Sequence, residues 1–156
     1  MFWLDLPLAT DAVPSSQAAG SAPPQNPADQ IKLFGTVLVV EADPLVRAGM
    51  EEAILNWGGR VLLAATREEA LSCCRASPLL PNLVICNAFL PHNVSGIELG
   101  QELQRNFGPM GVLLISADAG EEAMSTARRA GFPLLREPVP PGRLRAALRQ
   151  LLAGSA

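Results

Sequence analysis

Residues 82–96 read NLVICNAFLPHNVSG, and this stretch decides the fold. It starts with an apolar run, reaches a polar residue at Asn87, and continues through Pro91 to Gly96. A short apolar run bounded by turn residues is typical of a strand that is buried on both faces of a parallel sheet. Asn87 is therefore expected at the carboxyl end of a strand, which is the edge where open α/β sheets place their sites.

Other apolar runs lie on both sides of this stretch and alternate with helical patterns. We predict strands at residues 37–40, 61–65, 83–86, 112–115 and 133–135. Helix boundaries are indicated by Pro44 in a first turn, by Thr66 with Glu69 as a capping box, and by Gly131 after a last turn. This order predicts the α/β class, with a flavodoxin-like, doubly wound, five-stranded parallel sheet and five helices.

Apolar spacing predicts which sides of the first and last helices are buried. The inward residues of the first helix are expected to be Leu45, Met50, Ile54 and Leu55. Those of the last helix, residues 143–152, are expected to be Leu144, Leu148, Leu151 and Leu152.

Composition excludes several classes of function. The net charge of −3 gives no general basic field for nucleic acid. No apolar run approaches the roughly 20 residues of a membrane span, and the first eight residues lack the basic start of a signal peptide. The three cysteines, Cys73, Cys74 and Cys86, form no disulfide or metal pattern, and Cys86 is expected in the core. We therefore expect a cytoplasmic protein with reduced thiols.

The first 35 residues differ from the rest of the chain. Residues 10–35 have the Ala-, Pro- and Ser-rich composition of a flexible linker. Residues 1–9 read MFWLDLPLA and resemble the last strand of a histidine-kinase ATPase domain, with an arbitrary N-terminal tail as the alternative. Residues 36–153 then form the predicted folded domain.

From Thr36 to Leu152 the chain resembles response-regulator receiver domains, in particular those at the C-termini of hybrid sensor histidine kinases. The resemblance is carried by residues 37–44, 82–96, 113–116 and 131–138, which fall in the family's order at the predicted strand ends. It implies a receiver (response regulatory) domain of a bacterial two-component system.

The resemblance also implies a phosphorylation site, but its central positions are altered. The family places two acids after the first strand; here Glu41 retains the first, Ala42 replaces the second, and Asp43 is expected to point elsewhere. The phosphoryl acceptor is an aspartate in the family and is Asn87 here. A neutral amide is a far poorer nucleophile than a carboxylate.

The remaining family positions lie on the fourth and fifth predicted strands. Ser116 retains the hydroxyl residue that contacts phosphate, whereas Glu137 replaces the lysine that neutralises phosphoryl charge. Leu134 occupies the position of the aromatic switch residue. Lys32, the single lysine, lies in the predicted linker and gives no local substitute.

These changes favour a degenerate receiver, or pseudo-receiver, that acts in phosphorelay signalling by protein–protein interaction without accepting phosphate. We expect no enzymatic activity, no cofactor and loss of Mg²⁺ binding. The expected partner is a histidine kinase or another signalling protein, contacted through the fourth helix, fifth strand and fifth helix as in the family, and a weak homodimer is left open. Two alternatives are a phosphate-accepting receiver with an altered site and a non-functional fragment of a truncated kinase gene.

Several residues allow a second interpretation. Glu41 and Glu137 could hold a cation together with the Asn87 amide, although two partly exposed acids are the simpler interpretation. Ser116 lacks a neighbouring base and is expected to make hydrogen bonds at the strand end. His92 is expected to be solvated. The arginines of the last two helices are expected to form a solvated face and not a binding patch; these are Arg128, Arg129, Arg143, Arg145 and Arg149.

Overall fold

The computed structural model describes residues 35–154. These residues form a five-stranded parallel sheet, and a separate two-stranded sheet lies in one of its loops. The predicted linker, up to residue 34, and the ATPase-like segment lie outside the described residues. No helix in the described part is long and apolar enough to cross a membrane.

Strands and helices alternate along the described chain. The strands are β1 (Thr36–Val40), β2 (Arg60–Ala64), β3 (Leu83–Asn87), β4 (Phe89–Leu90), β5 (Val94–Ser95), β6 (Gly111–Ser116) and β7 (Leu134–Arg136). The helices are α1 (Pro44–Asn56), α2 (Arg67–Ala76), α3 (Gly96–Phe107), α4 (Glu121–Ala130) and α5 (Pro141–Gly154). The order in the large sheet is β2-β1-β3-β6-β7, which confirms the flavodoxin-like prediction.

The central strands are buried on both faces, as their continuous apolar runs predict. Every residue of β1 and β6 is buried. One face of the sheet packs against α2, α3 and α4, with Leu99 and Leu103 fully enclosed. The other face packs against α1 and α5, where Ile54 and Leu148 are fully enclosed. Full burial of each such side chain stabilises the fold by about 1.5–3 kcal/mol.

The predicted inward face of α1 is only half correct. Met50 and Ile54 are buried, whereas Leu45 is 83% exposed and Leu55 is 53% exposed. At 3.6 residues per turn, Leu45 and Leu55 each lie about 140° around the helix from Met50. They therefore face solvent, and their apolar character is not explained by the core. In α5, Leu144 and Leu148 are buried, and Leu151 and Leu152 are partly buried.

The N-terminus of α2 shows the predicted capping box in a shifted form. The Thr66 side chain accepts a hydrogen bond from the Glu69 amide at 3.2 Å. The Glu69 carboxylate accepts from the amide of Ala65, at 2.9 Å, instead of from Thr66 itself. Both bonds satisfy backbone donors that a helix start leaves open.

The loop after β3 forms a small hairpin that the sequence does not predict. β4 pairs with β5, and the connecting residues His92 and Asn93 have φ angles of 62° and 64°. Non-glycine residues rarely adopt this left-handed conformation. Gly96 closes the hairpin, because its amide donates to Ala88 and a Cβ there would overlap the backbone carbonyl oxygen of Asn87.

Replacement of Gly96 by alanine is therefore expected to destabilise the domain by about 1–3 kcal/mol, because the new methyl group meets rigid backbone. Gly49→Ala is the matched control: a Cβ at this α1 position meets nothing within 4 Å. The higher helix propensity of alanine should then raise stability by about 0.5–1 kcal/mol. Urea unfolding of both variants measures the contrast. Equal effects of the two changes would contradict the close approach at Gly96.

Candidate functional site

The carboxyl ends of four neighbouring strands meet at one edge of the sheet. Glu41 follows β1, Asn87 ends β3, Ser116 ends β6 and Glu137 follows β7. The backbone ladder continues past the strands, since the Glu137 amide donates to the Ser116 carbonyl at 2.9 Å. The edge therefore brings together the residues that the sequence singles out.

Glu41 and Asn87 form the centre of this edge. The Glu41 side chain accepts a hydrogen bond from Asn87 Nδ2 at 3.1 Å and from the Asp43 amide at 3.0 Å. Asn87 Oδ1 accepts from the Phe89 amide at 3.0 Å. Glu41 is only 5% exposed, so the expectation of a partly exposed acid at this position is wrong. A buried carboxylate needs such donors, and here the amide and the loop backbone provide them.

Asp43 has a structural role at the start of α1. Its carboxylate accepts from the amides of Leu45 and Val46, at 2.8 and 3.2 Å, and so caps the helix. The side chain therefore binds the start of the helix, while its charge still acts on Glu137. Ala42 is exposed and has no polar side-chain atom.

Arg47 is a further neighbour of Glu41, and it was not among the residues predicted from the sequence. Its Nη1 donates to the backbone carbonyl of Glu41 at 2.6 Å and lies 3.3 Å from that of Ala42. The guanidinium thus fixes the loop between β1 and α1. Its position one turn into α1 was the available signal, because a long side chain there can reach back to the preceding loop.

Ser116 is almost fully buried, with 1% of its surface exposed. Its hydroxyl donates to the Asp118 carbonyl at 3.0 Å and accepts from the Asp118 amide at 3.1 Å. The side chain therefore holds the turn after β6, which agrees with the predicted hydrogen bonding at a strand end.

Glu137 is half-buried beside the other two acids. Its pKa is raised by burial and by the negative charges of Glu41 and Asp43. No basic side chain of the described residues forms an ion pair with it, Arg136 included. Within residues 35–154, therefore, no ion pair offsets the charge at this position.

Leu134 is buried at 8% exposure and lines a cavity of about 500 Å³ between the hairpin and α4. Ala88, Ile97 and Leu114 line the same cavity. Phe89 also lines it and has 64% of its surface exposed. Leucine is smaller than an aromatic ring, so this position leaves space below the loop.

The sequence also singles out His92, Cys86 and the arginines of the last two helices. His92 is exposed. Cys86 is fully buried, and burial together with Glu41 raises the pKa of its thiol to about 12. The Cζ atom of Arg145 lies 5.9 Å from the centre of the Trp57 ring. At least one arginine of the last helix therefore packs on the protein instead of facing only solvent.

A single carboxylate introduced at position 87 is expected to destabilise the fold at neutral pH. In Asn87→Asp the donor to Glu41 is lost and two carboxylates face each other in a buried site, which raises the pKa of the introduced carboxyl. Since the folded state then binds its proton more tightly than the unfolded state, stability falls as pH rises above about 4. We expect a loss of about 1–3 kcal/mol at pH 7 and a much smaller loss near pH 4.

The matched variant is Asn87→Ala, which removes the hydrogen bond without adding a charge. Its stability difference from the wild type should depend little on pH. Denaturant titrations of all three proteins between pH 4 and 8 make the comparison, and parallel pH profiles for the two variants would contradict the hydrogen-bonded arrangement.

Glu137→Gln should raise the melting temperature at pH 7–8. The raised pKa of Glu137 means that its ionised form is less stable in the folded protein. This loss of folding stability is fully present above the folded-state pKa of Glu137 and disappears below the ordinary pKa of 4.5. The gain in melting temperature from Glu137→Gln should therefore shrink as pH falls. Glu52→Gln, at an exposed position of α1, is the control and should show no such trend. If the melting temperatures of Glu137→Gln and the wild type differed by the same amount at all pH values, the ionised Glu137 carboxylate would not be the cause of the difference.

Comparisons with known proteins identify relatives of the described domain. A two-component response regulator of Pseudomonas aeruginosa, PprB, is 28% identical over 120 residues, which cover 74% of this chain. The aligned region spans 43% of that regulator's length.

Solved structures share the fold. A CheY-like receiver domain protein from Methanospirillum hungatei matches with a TM-score of 0.68 and 22% identity, over 79% of this chain and 97% of that one. NtrX from Brucella abortus matches with a TM-score of 0.71 and 22% identity, over 79% of this chain and 28% of that one. The response regulator receiver domain family matches residues 37–149, most of the chain, and the chain therefore belongs to that family.

Proposed function

We propose that this chain is a degenerate receiver that signals by protein–protein interaction and does not accept a phosphoryl group. The observation that carries the proposal is that both polar atoms of the Asn87 side chain are hydrogen-bonded. Its Nδ2 donates to Glu41, and its Oδ1 accepts from the Phe89 backbone amide. At this position the family's reaction needs a free carboxylate oxygen. Here a neutral amide is held as a structural element.

The oxygen ligands that Mg²⁺ would need do not fit this site. Mg²⁺ prefers a nearly ideal octahedron of oxygen ligands. Ala42 has no side-chain oxygen, Asn87 directs its NH₂ group toward Glu41, and both Glu41 oxygens already accept hydrogen bonds. Among the described residues, no group of three or more His, Cys, Asp or Glu side chains is placed to hold a metal. We therefore propose that Mg²⁺ binding is lost and that Glu41 and Glu137 form no cation site.

The charge at the site also opposes phosphate. Phosphoryl transfer depends on positive charge around the transferring group. Glu137 places a negative charge at the position of the family's lysine, and Arg47 bonds backbone carbonyls instead of facing the pocket. Ser116, the retained hydroxyl, bonds Asp118.

The larger context is part of the same proposal. The chain would be the non-enzymatic module of a cytoplasmic, bacterial two-component phosphorelay, attached to a hybrid histidine kinase through residues 10–35. Its partner would be a histidine kinase or another signalling protein, and a weak homodimer is left open. The resemblance of residues 1–9 to an ATPase strand supports the link to a kinase. A phosphate-accepting variant and a truncated gene fragment are the alternatives.

Incubation with acetyl phosphate and Mg²⁺ should leave the intact mass of the wild type unchanged. The control is the triple variant Ala42→Asp, Asn87→Asp, Glu137→Lys, which restores the family's acid, acceptor and lysine in the same fold. It should gain one phosphoryl group that hydroxylamine removes, whereas Asn87→Asp alone should gain little. A hydroxylamine-sensitive mass gain on the wild type would overturn the proposal and favour the phosphate-accepting alternative.

A further inference from the structure

The cavity of about 500 Å³ between the hairpin and α4 is lined mainly by apolar side chains. They come from two strands and two helices, and they include Ile97, Leu114, Ala123, Ala127 and Leu134. Cavities of this volume with an apolar lining and a few polar groups are typical sites for small organic molecules. This cavity therefore has the size and the lining for a ligand with one or two rings.

Three carboxylates also line this cavity, and all three belong to exposed residues at its rim. They are Asp118, before α4, and Glu121 and Glu122, in the first turn of α4. No basic residue lines the cavity, and no ion pair between described residues involves these acids. Acids in a first turn stabilise a helix without any ligand. Around an apolar cavity, however, they make the entrance negative and repel an anionic ligand.

The hydroxyl groups that line the cavity are already hydrogen-bonded. Thr126 donates to the Glu122 carbonyl at 2.8 Å. Ser95 accepts from the amides of Ile97 and Glu98 at 3.2 and 3.5 Å. The cavity thus offers apolar contact inside and carboxylates at the entrance. An organic cation with an apolar body matches both features.

Phe89 adds an aromatic face to the same entrance. Its side chain lines the cavity although 64% of its surface is exposed. Its backbone is held in place, because the Phe89 amide donates to Asn87 Oδ1 at 3.0 Å and Phe89 pairs with Ser95 across the hairpin. The face of an aromatic ring attracts ammonium groups. Phe89 therefore favours the same class of ligand as the three acids.

We propose that this cavity binds a small arylalkyl ammonium compound, whose ring enters between the hairpin and α4 and whose ammonium group lies among Asp118, Glu121 and Glu122. The inference goes beyond the proposed function and does not depend on it, since Glu41 and Asn87 do not line the cavity. Phosphorylation of the wild type would overturn the proposed function and leave this site untouched. Failure of ligand binding would remove only this site.

The test is a titration of the isotope-labelled full chain with a small panel of probes, followed by the amide signals in NMR spectra. The panel contains phenyl-, indolyl- and naphthylethylamine, each with its matched alcohol and carboxylate. At least one amine should bind below about 1 mM and shift the amide signals of residues that line the cavity. Its carboxylate should bind most weakly of the three matched compounds.

Two variants fill the cavity from different elements. Leu134→Phe places a larger side chain in the space below the hairpin, and Ala123→Leu does so from α4. Each should weaken the bound amine at least about tenfold. Ala48→Leu is the matched control, because it enlarges an exposed side chain of α1 on the other face of the sheet. It should leave binding unchanged.

A third variant removes the charge of the rim and keeps its shape. It combines Asp118→Asn, Glu121→Gln and Glu122→Gln. The wild type should bind the amine at least about threefold more tightly than the matched alcohol, and the triple variant should bind the two equally. Since both probes meet the same protein, any change in helix stability affects them alike. Glu52→Gln, at an exposed position of α1, should retain the preference for the amine.

Three results would overturn the proposal: no binding by any amine of the panel, an amine that binds no better than its alcohol, or binding that survives both Leu134→Phe and Ala123→Leu. Phe89→Ala tests whether the chain fills the cavity itself. It should weaken the amine about two- to fivefold if the ring contacts the cation. Tighter binding by Phe89→Ala would assign the cavity to the Phe89 ring of the same chain and would also overturn the proposal.

Discussion

The hydrogen bond from Asn87 Nδ2 to Glu41 is the constraint on which the rest of the site depends. A buried carboxylate without a cation is costly unless hydrogen-bond donors surround it. One Glu41 carboxylate oxygen accepts a hydrogen bond from the Asn87 side-chain NH₂ group, and the other accepts one from the backbone amide of Asp43. The same Asn87 side chain accepts from Phe89 and so fixes the start of the hairpin. One side-chain amide therefore connects β1, β3 and the loop that follows β3.

The charged side chains around this hydrogen bond set the charge balance at the strand ends. Arg47, a cation close to the pocket, is bound to backbone carbonyls and orders the loop before α1. Glu137 then adds a negative charge with which no basic side chain of residues 35–154 forms an ion pair, and burial beside Glu41 and Asp43 raises its pKa. A receiver site that bound phosphate would need the opposite balance, because phosphoryl oxygens require donors and cations.

The fold was predictable because burial on both faces imposes unbroken apolar runs on β1, β3 and β6, and such runs are visible in a sequence. Strand ends could be placed within about a residue, which was sufficient to bring Glu41, Asn87, Ser116 and Glu137 to one edge. Leu45 and Leu55 were assigned wrongly, since apolar character alone does not distinguish a core stripe from an exposed helix face. The burial of Glu41, the role of Arg47 and the left-handed residues of the hairpin depend on contacts between distant segments, and local pattern carries little information about them.

The substituted positions also depend on one another, which distinguishes a rearranged site from a damaged one. With an aspartate at position 87, Glu41 would lose a donor and face a second negative charge; with an aspartate in place of Ala42, the pocket would gain a further charge without a cation. Residues in direct contact do not contribute additively. Asn87 and Ala42 thus belong together in a pocket where protein hydrogen-bond donors surround the Glu41 carboxylate. Random decay would be expected to leave buried polar groups unpaired, whereas the described site satisfies the buried Glu41 and Ser116 side chains. That complementarity is the reason why we propose an interaction module and not a relic of a truncated gene.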